Sequence, residues 1–231
     1  MTRASYSKTI AVEVTRPMGL VLNSGREETG AYVAEVVEGG NASTERTLRM
    51  GDVLLTCGAD DFFCPDANFD EGVMDALGKN PDQKTMKLSV KRYAAQDGPN
   101  KTKPEGYVWL EANSKKKGVM VLPSGLQYKV LEKGTGTRAI KTDTACACHY
   151  AGTLLDGTTF DSSYKRGKPS TFAPRQVIKG WTEAMQLMVE GDKWELYVPA
   201  ELGYGGRGSP SGSIKPGDAL VFTIEIVNSH V

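Results

Sequence analysis

Apolar and polar residues alternate in short runs along most of the chain, and Gly, Asn or Asp separates the runs. This two-residue period predicts β-strands, because successive side chains of a strand point to opposite faces. In the first part of the chain a turn follows the first strand, and a helix is predicted over 69–78. The strands predicted there fall within 8–14, 31–42 (which adds a turn and a short helix at Asn41), 48–58 and 85–92.

The second part of the chain continues the strand pattern and adds one good helix. Val177, Ile178, Trp181, Met185 and Met188 recur at helical spacing and would face a sheet, and Gly191-Asp192 would end that helix. The predicted strands fall within 126–134, 144–154, 159–163, 169–172, 193–201 and 218–227. We therefore predict a mostly β, α+β protein, whose second part is an antiparallel half-barrel wrapped on one helix.

The chain has 231 residues, which suits two domains of about 100 residues each. A polar, Pro- and Gly-bearing stretch at 94–105 reads as a linker. Residues 106–117 are weakly helical and end in a Lys cluster before Gly118, a residue that commonly stops a helix. The predicted organisation is a domain at 7–93, a linker with a short helix at 94–117, and a domain at 118–231.

Charge and hydropathy exclude several functional classes. Lys and Arg number 28, as do Asp and Glu, so no net field favours nucleic acid or a membrane surface. No apolar run approaches the ~18 residues of a spanning helix. The first 14 residues lack the apolar core of a signal peptide. We expect a soluble, intracellular protein, located in the cytoplasm, or in a plastid if a presequence has been removed.

The four cysteines form two pairs in sequence, and the simplest interpretation makes all four small core residues. A metal site at Cys146 and Cys148 with His149 is disfavoured, because His149 would point to the other face of its strand. A disulfide between Cys57 and Cys64 across a hairpin is sterically allowed and stays open. No metal and no cofactor is expected.

The stretch from 157 to 222 places aromatic residues and a few polar groups at turns, without a nucleophile, a metal cage or a phosphate cradle. The string GYGGRG at 203–208 satisfies GxGxxG, but the residues SPSG follow it, so no helix N-terminus is available for a pyrophosphate. An aromatic-lined hole of this kind suits a catalyst that makes and breaks no covalent bond.

Five motifs resemble the FKBP family of peptidyl-prolyl cis-trans isomerases, in family order and spacing: HYAGTL, GTTFDSS, QVIKGWTEAM, YVPAELGYG and ALVFTIEIV. Residues 107–136 resemble the segment that leads into this domain in bacterial Mip- and FkpA-like members. The chain departs from the family where an aromatic residue near Phe172 is either replaced by Ser170 or deleted, and where Ser209 falls near a frequent histidine.

The resemblance implies a ligand pocket. Trp181 would form its floor, and the Ile178 N–H and the Tyr204 hydroxyl would bind substrate carbonyls. The residues expected to act in catalysis are Tyr150, Phe160, Asp161, Ile178, Trp181, Tyr204 and Phe222, and those expected to bind substrate are Phe172, Val177 and Ile214. Core packing alone is the simpler alternative for the aromatic residues, but the joint match to the motifs disfavours it.

Residues 7–93 resemble a PDZ domain, with a Pro17–Leu20 loop in place of GLGF, GGNA at 39–42 and MGDVLL at 50–55. The resemblance implies a PDZ-like small β-barrel with helices, whose groove takes a peptide carboxyl terminus as an added strand. The groove residues it implies are Met18, Gly19, Leu20, Phe69 and Val73. The alternative is a small β-domain without a ligand.

Together these resemblances predict a peptidyl-prolyl cis-trans isomerase with a PDZ-like module that recruits partners or clients. Prolyl peptides and folding proteins would be its substrates, macrolides its inhibitors, and a C-terminal peptide the ligand of the PDZ-like module. A non-catalytic adaptor or holdase, which uses both domains to bind, is the alternative.

Overall fold

The computed structural model describes residues 7–25, 29–45, 48–57, 62–65, 67–78, 84–93 and 101–231. The chain divides into two compact units. Unit 1 comprises Met1–Asp97 and Lys103–Asn113, and unit 2 comprises Gly98–Thr102 and Ser114–Val231. Each unit is built on its own antiparallel sheet, so the described chain has a mostly β, α+β fold with few helices.

Unit 1 contains a six-stranded sheet with the order β1-β6-β4-β3-β2, and β5 pairs with β4 outside this path. The strands are β1 Ser7–Thr15, β2 Leu20–Ser24, β3 Ala31–Val36, β4 Val53–Cys57, β5 Phe62–Phe63 and β6 Thr85–Tyr93. The strand expected within 48–58 begins only at Val53, because Gly51 adopts a positive φ of 81° and Asp52 binds the Arg49 N–H with its carboxylate. The alternating pattern therefore predicted β1, β3, β4 and β6, although not their exact ends, and the predicted strand ranges did not include β2 or β5.

Two helical segments belong to this sheet. Helix α1 spans Asn41–Glu45, and a π-helical turn at Phe69–Met74 continues into α2 at Asp75–Gly78. The Asn68 side chain accepts a hydrogen bond from the Glu71 N–H and so caps the start of this second helix. The core lies between the helices and the sheet, and it includes Val14, Val33, Leu54, Val73 and Val90.

Helix α3 spans Pro104–Ser114 and packs within unit 1. Its Tyr107 ring stacks on Tyr93 with ring centroids 3.8 Å apart. The buried Glu111 accepts hydrogen bonds of 2.8 Å from the Lys91 ammonium and from the Tyr93 hydroxyl. Pro104 suits the first position of a helix, where its missing N–H costs nothing. The helix begins at Pro104, two residues before the expected start at 106, and it ends at Ser114, before the Lys cluster.

Unit 2 contains a seven-stranded antiparallel sheet with the order β10-β9-β13-β12-β8-β7, and β11 pairs with β9. The strands are β7 Val119–Val121, β8 Gln127–Glu132, β9 Cys146–Leu154, β10 Thr159–Ser162, β11 Ser170–Phe172, β12 Lys193–Val198 and β13 Leu220–Ser229. The register of β9 and β13 places Phe222 opposite Gly152 and Ile224 opposite Tyr150. This pairing brings the aromatic residues of two strands to one end of the sheet.

Helix α4 spans Lys179–Met185 and buries Trp181, Ala184 and Met185 against the sheet. It is shorter than the spacing predicted, because Val177 and Ile178 have extended backbones with ψ of 176° and 154°. Met188 also lies beyond the helix, although it is buried in the same core. The apolar spacing therefore predicts correctly that these residues pack in the core. It is wrong that all of them are helical, because Val177, Ile178 and Met188 lie outside α4.

Among the described residues, no helix is both long and apolar enough to cross a membrane. Short 3-10 turns at Pro174–Gln176 and Ala200–Leu202 flank the region where the aromatic residues meet. The hydroxyl of Thr102 accepts a hydrogen bond of 2.7 Å from the Ala200 N–H, within unit 2.

Candidate functional site

A cavity of about 700 Å³ opens in unit 2 at the end of the sheet where β9, β10, β11 and β13 approach α4. We refer to it as the aromatic cavity. All ten residues predicted for catalysis and substrate binding line it: Tyr150, Phe160, Asp161, Phe172, Val177, Ile178, Trp181, Tyr204, Ile214 and Phe222. The structure thus brings together residues that span more than seventy positions of the sequence.

The floor of the cavity is the Trp181 ring, which is 4% exposed. Tyr150, Phe172 and Phe222 meet it edge-on, with centroid distances of 5.2, 6.0 and 5.3 Å. Such edge-to-face packing fixes aromatic rings at defined angles. The buried Trp181 Nε1 makes no hydrogen bond to any described residue, so an indole donor is held at the apolar floor.

Gly152 on β9 makes room for two of the cavity walls. A Cβ at this position would lie 2.6 Å from the Phe160 ring and 2.7 Å from the Phe222 ring. These rings meet each other edge-on at a centroid distance of 5.5 Å. A glycine is therefore required here for close approach, and its Cα lets both rings lie against the strand.

The polar rim of the cavity is a hydrogen-bonded cluster of Tyr150, Asp161 and Arg166. The Tyr150 hydroxyl donates to Asp161 Oδ2 at 2.7 Å. Arg166 Nη1 donates to Asp161 Oδ1 at 2.5 Å, and its Nη2 donates to the Tyr150 hydroxyl oxygen at 2.8 Å. The guanidinium carbon also lies 5.4 Å from the centroid of the Tyr150 ring. Arg166 therefore fixes the position of both of its partners.

The protonation states of this rim follow from its contacts. Burial by itself raises the pKa of Asp161, but hydrogen bonds from Tyr150 and Arg166 outweigh it and lower that pKa below its usual range. Burial, followed by the hydrogen bond to Asp161, raises the pKa of Tyr150. Burial and the charge of Asp161 also raise the pKa of Tyr204. At neutral pH the rim therefore holds the Asp161 carboxylate, the Arg166 guanidinium and the neutral phenol of Tyr150, and the phenol of Tyr204 beside it is also neutral.

The entrance to the cavity is formed by the extended residues Val177 and Ile178. The Ile178 carbonyl accepts a hydrogen bond of 2.9 Å from Thr182 and so begins α4. In the part of the chain that the structure describes, nothing accepts a hydrogen bond from the Ile178 N–H. This amide is therefore available to a carbonyl bound at the entrance.

The loop from 204 to 214 lines the opposite side of the opening. Tyr204 is 37% exposed, whereas Ile214 is 2% exposed and packs in the core. The hydroxyl groups of Ser209, Ser211 and Ser213 form a cluster with mutual distances of 2.8–3.2 Å. Ser209 also accepts a hydrogen bond of 3.0 Å from the Ile214 N–H, which holds the loop over the cavity.

Sequence reasoning missed five residues at or beside the cavity, Arg166, Gln176, Pro210, Ser211 and Ser213, and it named Ser209 only as a departure from the family. Arg166 follows Asp161 by five residues in a turn, where no periodic pattern connects them. Gln176 accepts a hydrogen bond of 2.8 Å from the Ala173 N–H and shapes the turn before the entrance. Among the described residues, no group of three or more His, Cys, Asp or Glu side chains could hold a metal ion.

In unit 1 the five residues predicted to form a peptide groove fall on two elements, three of them at the start of β2 and two on the helical segment Phe69–Met74. Strand β2 is the edge strand, and Met18, Gly19 and Leu20 precede or begin it. Met18, Leu20 and Phe69 are partly buried against the core, whereas Val73 is fully buried within it. Val73 belongs to the helical segment Phe69–Met74 and points into the core rather than to the surface.

Backbone contacts brace the loop at 17–20. Gly19 has a φ of 66°, and a Cβ there would lie 2.6 Å from the Gly40 Cα. The Gly19 carbonyl accepts from the Val37 N–H at 2.8 Å, and the Met18 carbonyl accepts from the Ala42 N–H at 2.9 Å. The Asn41 amide donates to the Pro17 carbonyl at 3.1 Å. The GGNA turn therefore holds this loop in one conformation.

Comparison with known sequences decides the family. Residues 136–227 match the family described as FKBP-type peptidyl-prolyl cis-trans isomerase, and residues 64–130 match the domain amino terminal to such isomerases. The FKBP-type peptidyl-prolyl cis-trans isomerase FkpA of Aeromonas hydrophila is 37% identical over 198 residues, which are 86% of this chain and 71% of that protein. The chain belongs to the FKBP-type peptidyl-prolyl cis-trans isomerase family. The predicted family is thus confirmed.

Two further relatives are similar over about half of the chain. The outer membrane protein MIP of Legionella longbeachae is 52% identical over 126 residues, and the macrophage infectivity potentiator of Trypanosoma cruzi is 46% identical over 129 residues. These alignments cover 54% and 56% of this chain, and 53% and 65% of the two relatives. The chain therefore spans about half the length of the first relative and just under two thirds the length of the second.

The structure of FkpA from Escherichia coli is similar with a TM-score of 0.52 and 40% identity, over 55% of this chain and 58% of that one. A peptidyl-prolyl isomerase structure from Pseudomonas syringae has a TM-score of 0.50 and 33% identity, over 55% and 91%. Part of the N-terminal half, from 64 onward, corresponds to the amino-terminal domain of FKBP-type isomerases. The PDZ-like interpretation of residues 7–93 stays a prediction.

Proposed function

We propose that this chain catalyses the cis-trans isomerisation of X-Pro peptide bonds in peptides and folding proteins. The observation that carries the proposal is the aromatic cavity, in which Trp181 closes the floor and the Ile178 N–H stands at the entrance. The assignment of named relatives to the same enzyme class supports it.

The chemistry requires no covalent step. An X-Pro bond is planar because resonance transfers charge between nitrogen and oxygen, and rotation has a barrier of about 18–20 kcal/mol. The twisted transition state loses this charge separation. A dry aromatic cavity therefore stabilises it relative to the planar ground state, which prefers water.

Three groups are positioned to orient the peptide. The Ile178 N–H would donate to the carbonyl of the residue after or before the proline, and the exposed Tyr204 hydroxyl would donate to a second carbonyl. Asp161, whose carboxylate is held by Arg166, would keep a fixed negative charge beside the rotating bond. None of these groups transfers a proton, so none needs a pKa near neutrality.

The test is a protease-coupled isomerisation assay on a short X-Pro-Phe peptide with the full chain. We expect acceleration above the uncatalysed exchange, which takes on the order of 10–100 s. The Trp181→Leu variant is the active-site control, and a melting curve establishes that it folds. A folded chain without acceleration would exclude the enzyme and favour the adaptor or holdase function.

We also infer that macrolides which occupy FKBP-type pockets bind the aromatic cavity. Its volume of about 700 Å³ and its apolar floor match those of sites that enclose drug-sized ligands. Inhibition of the isomerase assay by such a macrolide, with quenching of Trp181 fluorescence, is the expected result. Uninhibited isomerisation at saturating macrolide would contradict this inference.

For unit 1 we propose a PDZ-like role, in which a peptide carboxyl terminus adds as a strand beside β2. Strand β2 lies at the edge of the described sheet, which leaves one side of it for an added strand. The braced Met18–Leu20 loop at its start supports a site for a carboxylate, and the partly buried Phe69 supports an apolar preference at the third residue from the peptide end.

Fluorescence anisotropy with peptides of free and amidated carboxyl termini tests this role. Peptides with a free terminus and an apolar third-from-last residue should bind, and their amidated counterparts should not. Equal binding of both forms would show that no terminal carboxylate is recognised. The isomerase assay run beside it separates recruitment by unit 1 from catalysis by unit 2.

A further inference from the structure

Two buried thiols meet in the core of unit 1. Cys57 ends β4 and Cys64 follows β5, and their sulfur atoms lie 3.0 Å apart. Both side chains are essentially inaccessible, at 1% and 0% exposure. The pairing of Cys57 with Phe62 and the 2.8 Å hydrogen bond from the Cys64 N–H to the Leu55 carbonyl hold the two residues diagonally across a hairpin.

The other two cysteines provide a contrast within the same chain. Cys146 and Cys148 are also fully buried, but each thiol donates to a backbone carbonyl, at 3.5 and 3.6 Å. They lie two positions apart on the single strand β9. Burial is therefore common to all four thiols, whereas a close sulfur-sulfur contact is described only for Cys57 and Cys64.

We propose that Cys57 and Cys64 form a reversible disulfide when the chain meets a small-molecule disulfide such as oxidised glutathione. A disulfide has an S–S distance of about 2.0 Å, so closure requires the sulfurs to approach by roughly 1 Å. The hairpin already places both side chains on the same face of the sheet. This proposal is independent of the functions proposed above.

The exchange balances in two steps. The Cys57 thiolate attacks one sulfur of oxidised glutathione, forms a mixed disulfide, and releases a glutathione thiolate that takes up a proton. The Cys64 thiolate then attacks the Cys57 sulfur and releases the second glutathione. The two protein thiols are oxidised, and one glutathione disulfide is reduced to two thiols.

The contact between the two sulfur atoms couples the protonation of the two thiols. The hydrogen bond between the two sulfurs lowers the pKa of Cys57, against the opposing effect of burial, and it raises the pKa of Cys64. This coupling favours Cys57 as the first nucleophile, and the exchange balances in the same way with the two residues interchanged. Once Cys57 is in the mixed disulfide, its thiolate no longer raises the pKa of Cys64, and the second step can proceed.

Access to the pair requires a local opening, because neither sulfur is exposed. Strand β5 has only two residues and pairs only with β4 in the described sheet, so few hydrogen bonds must break. The Cys64 carbonyl accepts from the Ala67 N–H at 3.1 Å, and the Ala67 carbonyl accepts from the Gly30 N–H at 2.7 Å. The cross-link would therefore fix the segment that leads into the helix beginning at Phe69.

The experiment equilibrates the folded full chain in glutathione buffers of increasing oxidation, followed by acid quench. Free thiols are then blocked with N-ethylmaleimide in denaturant, and the digested peptides are identified by mass spectrometry. We expect the peptides carrying Cys57 and Cys64 to appear linked, with the loss of two hydrogens. Cys146 and Cys148 should carry the maleimide throughout and so serve as internal controls.

A second measurement compares melting curves of the reduced and oxidised chains. The link should raise the melting temperature of the transition that unfolds unit 1, and Cys64→Ala should abolish this rise whereas Cys146→Ala should leave it. Maleimide on both Cys57 and Cys64 in the most oxidising buffer would overturn the proposal. Glutathione attached to either residue without the link would overturn it as well.

Discussion

The Tyr150 hydroxyl donates a 2.7 Å hydrogen bond to Asp161 Oδ2 at the rim of the aromatic cavity. Tyr150 also forms one wall of that cavity, because its ring meets Trp181 edge-on. The polar contact therefore fixes the angle of an apolar wall. Removal of either partner would change both the charge at the rim and the shape of the cavity.

Replacement of Arg166 by Leu tests the role of the residue that holds this pair. The variant loses both guanidinium hydrogen bonds, so Asp161 and Tyr150 are no longer fixed and Asp161 has no counter-ion. We expect kcat/KM in the isomerase assay to fall by about 3- to 10-fold, because charge-assisted hydrogen bonds are stronger than neutral ones but are weakened by solvent where they are exposed.

Arg175→Leu is the matched control for Arg166→Leu, since Arg175 lies in the exposed turn before the entrance and does not line the cavity. It should keep the activity of the parent chain. An Arg166→Leu variant with full activity would show that the rim works without this guanidinium.

Replacement of Gly152 by Ala tests whether a strand glycine makes room for the cavity walls. The added Cβ would collide with the Phe160 and Phe222 rings, which cannot both move without breaking their contact with Trp181 or with each other. Overpacking of this kind costs about 1–3 kcal/mol. We expect a lower melting temperature and a loss of most isomerase activity.

Gly78→Ala is the control for this change, because a Cβ there has no neighbour within 4 Å. Stability of that variant should stay within a few tenths of a kcal/mol or rise slightly. If Gly152→Ala matches it in both melting temperature and activity, the rings have more room than the structure shows.

The pH dependence of stability and of catalysis follows from the protonation of Asp161, Tyr150 and Tyr204 at the cavity. Asp161 has a lowered pKa in the folded chain, so the stability it contributes is present above its unfolded pKa and is lost only as pH falls through the lower, folded value. Tyr150 and Tyr204 have raised pKa values, so the neutral phenols persist above the ordinary value of 10.0. Stability from these phenols is complete below that value and is lost as pH rises through the folded pKa.

We therefore expect kcat/KM to stay constant from about pH 5 to about pH 9, within the window that these shifts leave open. A pH–rate profile measures this dependence: kcat/KM is determined in buffers across that window, at constant ionic strength. A bell-shaped profile centred near neutrality would indicate general acid-base catalysis, which the described cavity does not provide for.

The elements that the sequence predicted best are those with strict alternation. Strand β6 was expected within 85–92 and is found at Thr85–Tyr93, because every second residue from Met86 to Val90 is buried. The apolar spacing from Val177 to Met188 predicted the burial of Trp181 and Met185 but overextended the helix. Residues at the end of a helix can be buried in extended conformations, and a spacing rule does not distinguish the two.

The residues of the candidate site also divide into those that the sequence predicted and those that it did not. Its aromatic residues fall in family motifs and could be identified by matching, residue by residue. Arg166 and the three serines of the loop could not, since their importance depends on how turns fold back over the cavity. No local pattern encodes which side of a turn a polar side chain takes, so only the structure reveals these contacts.

Replacement of Glu111 by Ala tests how α3 is attached within unit 1. The side chain of Glu111 is buried and accepts hydrogen bonds from both Lys91 and Tyr93, so its removal deletes both contacts. We expect a loss of about 3 kcal/mol, the low end for breaking a buried pair, measured by urea unfolding of the full chain.

Glu105→Ala, in the first turn of the same helix, is the control and should cost less than about 1 kcal/mol. Equal effects of the two changes would show that the contacts of Glu111 contribute no more to stability than the first-turn carboxylate of Glu105. Isomerase activity below the unfolding transition should be unchanged in both, since neither residue lines the aromatic cavity.

Replacement of Tyr204 by Phe separates orientation of the substrate from the integrity of the fold. The change removes one partly exposed hydroxyl and keeps the ring, so the melting temperature should not move. One neutral hydrogen bond is worth about 0.5–1.5 kcal/mol, so kcat/KM should fall by roughly 2- to 12-fold. Trp181→Ala should cost more, because it removes the floor of the cavity and about 3–5 kcal/mol of stability.

Neither change should affect the binding of peptides with a free carboxyl terminus by unit 1, because both residues lie in unit 2. Parallel anisotropy and isomerase measurements on the same preparations provide the comparison. If Tyr204→Phe weakened peptide binding and isomerisation to the same degree, both measurements would be reporting on one site, and the assignment of recruitment to unit 1 would fail.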